Sequence, residues 1–500
     1  MSSIIFNEKQ QITINKINNF ISQDTDRIFY LFGYAGAGKT FLMSKIIDQL
    51  LINNKMDHVF ICAPTHQALK VIESDIKKDL SPTDQTSMCL KMSFMTIHKL
   101  LEFRPIIMAE DGTKVFKSIK ESNFLKQMEN KLIVIDECSM ISKDMMTELN
   151  KYMELYPIKL IFMGDHMQLP PVKEKISLVF KNVPEDYYYH VILDEIMRTK
   201  SVDIKDVCAI IRKWNQSDSL AKLLLPIHNR KRSNKTFNLY HNKNDYINTS
   251  WFKFFAKSLS KGDIPIILTW KNSTAHNYNA IIRKHVHNTS DINNYIVGDY
   301  AIFNNYYTSP DDGTGFYTSD MIKILNISSE ERELFDWLSI LIDKPKTAIE
   351  KSYNIIIKKI SKYQSKFKIN TFTVEKIHND QSLIYQNRTF IVQSIHRDCL
   401  EDYYSMLNVI KEHIEFFFKK FKTEKLTSRL WEIYHKKIKE LYAEISFGYS
   451  ITVHKAQGST FNTVLVDVGD ICENIDIEEV QKSLYTAAGR SSKYLGFILS

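Results

Sequence analysis

Glycine and proline are scarce in this 500-residue chain, 14 and 11 respectively. That excludes a collagenous or linker-rich architecture, and no internal repeat marks a solenoid. Cysteine is scarce too: six residues, scattered, with no CxxC pair and no His/Cys ligand spacing. A disulfide framework and a structural zinc site are thereby excluded. Free buried thiols in a reducing, cytoplasmic compartment are expected; a bacterial, phage or viral setting fits, and the nucleus is left open. No apolar run approaches the ~18 residues of a membrane span, so no membrane partner is expected. The polar first ten residues do not read as a signal peptide. There is also no acidic cluster of nuclease type.

What is present is ordinary globular material, 44% hydrophobic and 25% charged, enough for several domains. The formal net charge of +8 suits a polyanion without demanding one. The densest basic stretch, residues 228–235, reads as a solvated loop. Short apolar runs alternate with helical stretches: strands at 27–32, 58–62, 131–135 and 158–163, with a helix at 41–53. The same grammar returns at 264–269, 463–468 and 495–499, with helices running to 279 and over 477–487. Such runs predict parallel sheets covered on both faces, hence two α/β cores. The first core is assigned to residues 1–215 and the second to 216–296 with 444–500. Residues 297–443 form an inserted domain, with strands at 295–307 and 382–395 suggesting a small β-barrel, followed by helices over 402–442. A second insertion, 104–125, reads as a β-hairpin around an Asp111-Gly112 turn.

The strongest motif is Gly33-Tyr34-Ala35-Gly36-Ala37-Gly38-Lys39-Thr40, which follows a predicted strand and opens a predicted helix. Gly33, Gly36 and Gly38 let backbone N–H groups curl around phosphate oxygens at a helix N-terminus. Lys39 then reaches the β- and γ-phosphates of ATP, and Thr40 holds Mg²⁺. A phosphate loop needs acids on a neighbouring strand, and Leu132-Ile133-Val134-Ile135-Asp136-Glu137 supplies them. Asp136 orients the Mg²⁺ and Glu137 polarises the attacking water. An acidic pair can simply end a strand; behind a phosphate loop it has a second use.

Gly164-Asp165-His166-Met167-Gln168-Leu169-Pro170-Pro171-Val172 resembles motif III of superfamily 1 helicases, in which Gln168 matches the γ-phosphate sensor. Leu193 to Arg198 resembles motif IV and Leu484 to Arg490 motif VI, implying that Arg198 and Arg490 both contact the γ-phosphate, the latter as a finger from the second core. The family usually has Ser or Thr before the motif VI arginine; this chain has Gly489. Residues 447–460 are similar to motif V of the RecD/Dda group, which moves 5′→3′. Phe6 to Gln10 resembles the Q motif, implying that Gln10 reads the adenine edge.

The resemblance also implies a nucleic-acid track. Pro64, Thr65 and His66 match motif Ia; Thr96 and His98 match motif Ib. Thr269, Trp270 and Asn272 match the segment opening the second core, and Thr452, His454 and Lys455 belong to motif V. Hydroxyls, amides and strand-end N–H groups would contact phosphates without reading sequence, while His98 and Trp270 would stack on bases. The expectation is an ATP-driven helicase acting on single-stranded and forked DNA, with replication or recombination proteins as partners. RNA is left open, since nothing here reads a 2′-hydroxyl. The rivals are a protein-displacing translocase without strand separation and an ATP-gated DNA-binding subunit of a recombination complex. The 104–125 hairpin resembles the pin that splits the duplex in this group.

Overall fold

The computed structural model describes residues 6–53, 55–79, 91–118, 131–171, 174–184, 186–197, 201–215, 218–230, 235–241, 249–289, 291, 293–363, 366–377 and 388–499. These fall into two compact units: Met1–Phe103 with Ser118–Ile282 and Tyr449–Ser500, and Arg104–Lys117 with Arg283–Gly448.

The first unit holds two parallel sheets. The strands of its N-terminal part are β1 (Ile28–Gly33), β2 (His58–Ala63) and β3 (Met92–Thr96), then β6 (Lys131–Ile135), β7 (Ile158–Gly164) and β8 (His190–Leu193); the hairpin that intervenes in sequence, β4 (Phe103–Ile107) and β5 (Lys114–Ser118), falls mostly in the second unit. The sheet order is β3-β2-β6-β7-β1-β8, every pair parallel. Its apolar runs divide by the two-residue period of a strand. Phe29, Leu31, Val59, Ile61, Leu132 and Val134 face one core with the helices Glu8–Ser22 and Lys39–Ile52. Tyr30, Phe32, Phe60, Cys62, Ile133 and Ile135 face another, against the helix Lys143–Leu155. Both faces are covered, so the strands are apolar throughout.

The second sheet runs β18-β10-β19-β20-β9, again all parallel, from β9 (Phe237–His241), β10 (Ile266–Thr269), β18 (Ser450–Thr452), β19 (Phe461–Asp467) and β20 (Ser491–Leu499). The strand β9 was not expected from the sequence. Phe-Asn-Leu-Tyr-His alternates only briefly, and its pairing partner β20 lies more than 250 residues away.

The second unit is an antiparallel sheet of order β16-β15-β14-β11-β17. Its strands are β11 (Tyr300–Phe303), β14 (Met321–Glu333), β15 (Lys366–Ile377), β16 (Thr389–Ile395) and β17 (Ile445–Phe447). A ribbon of β12 (Tyr307–Thr308) and β13 (Gly315–Phe316) curls it towards a small barrel: Tyr307 Oη accepts from Gln393 N at 2.9 Å, and Ser309 donates to Ile391 O at 2.9 Å. Residues 378–387, part of an expected strand, lie outside the described residues. The expected helical stretch is broken at Lys422, whose left-handed φ of +48° ends the helix Leu400–Phe421 before Glu424–Ile433 begins. Within the helix Leu400–Phe421, Phe417 is buried in this unit's core while its neighbour Phe416 is exposed.

Candidate active site and nucleic-acid interface

The phosphate loop leaves the carboxyl end of β1 and enters the helix Lys39–Ile52 at Gly38, whose φ of +80° favours glycine. No side chain caps that helix start, so its N–H groups face the loop. Lys39 is buried and donates to the carbonyls of Gly33 and Tyr34 at 2.7 and 3.1 Å. Gly33 lies hard against β8: a Cβ there would stand 2.5 Å from Leu193 O. Gly36 O accepts from Met197 N at 2.7 Å, which lays the segment after β8 along the loop. Arg198, the next residue, lies outside the described residues.

Asn7 and Gln10 form a capping box: Gln10 N donates to Asn7 Oδ1 at 2.8 Å, and Asn7 N to Gln10 Oε1 at 3.1 Å. The box leaves Gln10 Nε2 beside Gly38. Asn7, Lys9, Gln10, Ala37, Asp194 and Glu195 line a cleft of about 270 Å³ next to the loop. Thr40 Oγ1 donates to Asp136 Oδ2 at 3.0 Å, joining the loop to the end of β6. Burial pushes the Asp136 carboxyl up to about 6; the charge of Glu137 adds to this, while Lys39 and the Thr40 bond oppose it. A hydroxyl and a buried carboxylate set side by side, with a second carboxylate adjacent, fit the hard oxygen ligands that Mg²⁺ takes. Glu137 sits at a left-handed φ of +51°, a conformation costing a non-glycine residue roughly 1–2 kcal/mol. That turn is cramped: a Cβ on Gly164, at the end of β7, would stand 2.4 Å from Cys138 Sγ.

Past Gly164 the chain meets the second sheet. Asp165 is fully buried; its Oδ2 accepts from Ala35 N and from Tyr485 Oη, each at 2.7 Å. Gln168 Oε1 accepts from Arg490 Nη2 at 2.7 Å, with Gln168 4% and Arg490 2% exposed. Arg490 also donates to Thr486 O and Ser459 O, both at 3.2 Å. Gln457 Nε2 donates to Leu169 O at 3.1 Å, and Thr486 Oγ1 accepts from Leu169 N at 3.3 Å. Lys39, Thr40, Asp136, Glu137, Gln168 and Arg490, scattered over 450 positions of sequence, thus surround one loop or are bonded to its neighbours.

Three of the expected strand-binding segments share one local construction. Thr65 follows β2 while Thr96 and Thr452 end β3 and β18, and their hydroxyls accept from Ala68 N (3.2 Å), Lys99 N (3.3 Å) and Lys455 N (3.5 Å). Each caps a helix start. The segments Thr96-Ile97-His98-Lys99 and Thr452-Val453-His454-Lys455 are near-copies, one on β3 and one on β18, each at an edge of its sheet. Burial pulls the His98, His454 and Lys455 pKa values down. The turns on the two sheets approach each other, since a Cβ on Gly458 would lie 3.4 Å from Ala68 and 3.5 Å from Thr65 Oγ1. Pro64 and His66 flank Thr65, both half-buried. The segment after β10 is arranged differently. Thr269 is fully buried with its hydroxyl turned to Lys271 O, and the N–H groups of Trp270 and Lys271 are taken by Asp470 Oδ2 at 2.6 and 2.9 Å. Trp270 is half-buried and Asn272 exposed.

Two family models match parts of the chain. An "AAA domain" model matches residues 18–174, and a "UvrD-like helicase C-terminal domain" model matches 447–498. "Uncharacterized protein R530" of Acanthamoeba polyphaga mimivirus is 52% identical over 495 residues, covering 99% of this chain and 100% of that one. "RecBCD enzyme subunit RecD" of Buchnera aphidicola subsp. Schizaphis graminum is 26% identical, over 98% of this chain and 71% of its own. The chain belongs to the RecD-like superfamily 1 helicases. Its enzyme class is that of the ATP-dependent DNA helicases. Among solved structures, Pif1 helicase from Candida albicans overlays with a TM-score of 0.48 at 16% identity, covering 99% of this chain and 94% of that one. Pif1 helicase from Bacteroides in complex with ADP-AlF3 and ssDNA gives 0.47 at 16% identity, with 100% and 93% covered.

Within the helicase, the sequence reading overlooked Asp165, Tyr485, Gln457 and Asp470, which hold the named residues in place. Asp165, Tyr485 and Gln457 stand inside motifs chosen for a neighbour, so a signal was there; only pairing across more than 280 residues reveals what they bind. The hairpin has the turn expected of it, with Gly112 at φ +70°, and it packs within the second unit. Trp431 Nε1 donates to Ala109 O at 3.0 Å, His435 Nε2 bonds Gly112 O at 2.9 Å, and Lys114 pairs with Glu440. Ile107 joins that unit's core. Residues 119–125 of the expected insertion lie outside the described residues, and among the described residues no helix is long and apolar enough to cross a membrane.

Proposed function

We propose that this helicase moves 5′→3′ along single-stranded DNA and couples ATP hydrolysis to separation of a duplex. The observation that carries the reading is the buried Arg490–Gln168 bond, which brings a cation of the second sheet beside the phosphate loop of the first. In this reading ATP lies on the Gly33–Thr40 loop with its adenine in the cleft beside Gln10. Lys39 binds the β- and γ-phosphates, Glu137 polarises the attacking water, and Gln168 reports the γ-phosphate. Arg490, with Arg198, stabilises charge on the transferring group. Thr40 and Asp136 hold Mg²⁺, which neutralises phosphate charge when bound. The helix starts at Thr65, Thr96 and Thr452 grip the strand, with His98, His454 and Lys455 at their rims and Trp270 and Asn272 beside them. Because grips on both sheets flank one ATP site, a cycle of closing and opening would advance the protein.

The hairpin is the wedge in this reading. A two-stranded ribbon is marginal alone, and the support it needs comes from Trp431, His435 and Glu440. A second reading, a subunit of a larger recombination machine, draws on the RecD relatives, whose name describes a subunit of the RecBCD enzyme. Strand displacement on 5′- and 3′-tailed substrates, in DNA and RNA versions, tests the proposal. Displacement on the 5′-tailed DNA alone is expected. ATPase without displacement on any substrate would leave the translocase or subunit reading.

A further inference from the structure

The phosphate loop is held from the second sheet by a contact that none of the ATP roles above uses. The helix Ile477–Ala488 runs directly before Arg490 and turns two side chains, one helical turn apart, towards the first sheet. Gln481 Nε2 donates to the carbonyls of Ile211, Arg212 and Trp214 at 2.8, 3.1 and 2.8 Å, tying down the end of the helix Val202–Lys213. Tyr485, fully buried, donates its hydroxyl to Asp165 Oδ2 at 2.7 Å. The same oxygen accepts from Ala35 N at 2.7 Å, and Ala35 N also lies 3.1 Å from Tyr485 Oη. Thus one buried carboxylate is shared between a phosphate-loop amide and a second-sheet phenol. Burial and the nearby Asp165 charge hold the phenol protonated, far above its ordinary range, so it remains a donor.

Two further contacts close this cluster. A Cβ on Gly489 would stand 3.3 Å from Ala35 Cβ, so the lack of a side chain there lets the loop come up against the helix end. The Arg212 guanidinium lies 3.7 Å from the centre of the Tyr34 ring and 5.7 Å from that of Tyr485. Tyr34 and Ala35 are therefore contacted by Arg212, Tyr485 and Gly489 together.

We propose that Tyr485 is a positioning residue that couples the phosphate loop to the strand-gripping second sheet through Asp165. The phenol touches neither nucleotide phosphates nor strand in this assignment. It sets the upstream limb of the loop by completing the donor set of Asp165, so movement of the second sheet is felt at Ala35. The proposal rests on the motor reading above, because the signal it carries is strand occupancy.

The test is a double-mutant cycle of Tyr485→Phe and Asp165→Asn, read as ATP KM and kcat with and without oligo-dT, alongside thermal melts. Losing a hydrogen bond to a charged group should lower strand-stimulated kcat of Tyr485→Phe about tenfold, with KM little changed. In the Asp165→Asn background, where the acceptor is a neutral amide oxygen, the same substitution should cost markedly less. Full stimulation in Tyr485→Phe would overturn the proposal, as would losses that combine independently. A residue serving packing alone would lower kcat and melting temperature together in both backgrounds, which also refutes it. If the parent ignores oligo-dT, the motor reading fails instead. Masking of the basal kcat loss by Asp165→Asn would then still support the coupling, and independent losses would still refute it.

Discussion

Replacing Gly112 by alanine would drive a methyl group into Trp431, and the consequences can be worked from the structure. The added Cβ would stand 2.4–2.6 Å from three atoms of the Trp431 ring, at a backbone φ of +70°. Trp431 is 1% exposed, packed in the core of the second unit, and cannot swing aside cheaply. Overpacking costs about 1–3 kcal/mol, and the left-handed backbone adds roughly 1–2 for a residue with a Cβ. Opposing this are the Trp431–Ala109 and His435–Gly112 bonds, worth about 1 kcal/mol each net. The partly exposed Lys114–Glu440 pair adds at most about 1. The summed strain of about 2–5 kcal/mol thus matches or outweighs the roughly 2–3 kcal/mol of those contacts over most of its range, and the turn should detach while both parallel sheets of the first unit stay intact. Oligo-dT-stimulated ATPase should remain near the parent value, and displacement of a 5′-tailed duplex should fall sharply. Limited proteolysis within 109–113 reports whether the turn has been freed. Undiminished unwinding by a protein with a freed turn would refute the wedge assignment. A matching fall in ATPase would mean that the hairpin only supports the fold.

The remaining predictions concern the ATP site and the track. Lys39→Ala should abolish hydrolysis, whereas Glu137→Gln should bind nucleotide and fail to turn it over; near-normal phosphate release by Glu137→Gln would remove it as the activating base. Gly164→Ala should destabilise the turn bearing Glu137 by about 1–3 kcal/mol through its clash with Cys138 Sγ, lowering the melting temperature, and adding Cys138→Ala should restore most of the loss. Single-strand affinity should fall with salt at a log–log slope near −0.7 per phosphate contacted, and a salt-independent affinity would count against phosphate gripping. Because burial lowers the pKa of His98 and His454 below the ordinary histidine value, both stay neutral at pH 7. Any rise in affinity through these rings should therefore have its midpoint below pH 6.5. A midpoint at or above pH 6.5 that disappears in the His98→Gln, His454→Gln double variant would show that burial does not hold them neutral.

The amino-acid sequence alone determined the features whose causes are local. The run Gly33 to Thr40 carries its own turn chemistry, and the apolar runs 131–135 and 158–163 specify buried strands because neighbouring residues must face opposite sides of one sheet. Asp111-Gly112 likewise announced a turn, since only a residue tolerant of positive φ serves there. What lay beyond it were decisions made by partners distant in the chain. The hairpin's contacts with Trp431 and His435 span more than 320 positions, and no local pattern encodes which body will take it up. The strand β9 exists because β20 offers it an edge. Thr269 matched a strand-contact motif, yet the pairing of β10 with β18 and β19 buries it and commits its hydroxyl to the backbone. Tyr485 and Gly489 acquire their meaning only when packing sets them against Ala35, because a hydrogen bond or a missing Cβ is defined by what folding brings within a few ångströms.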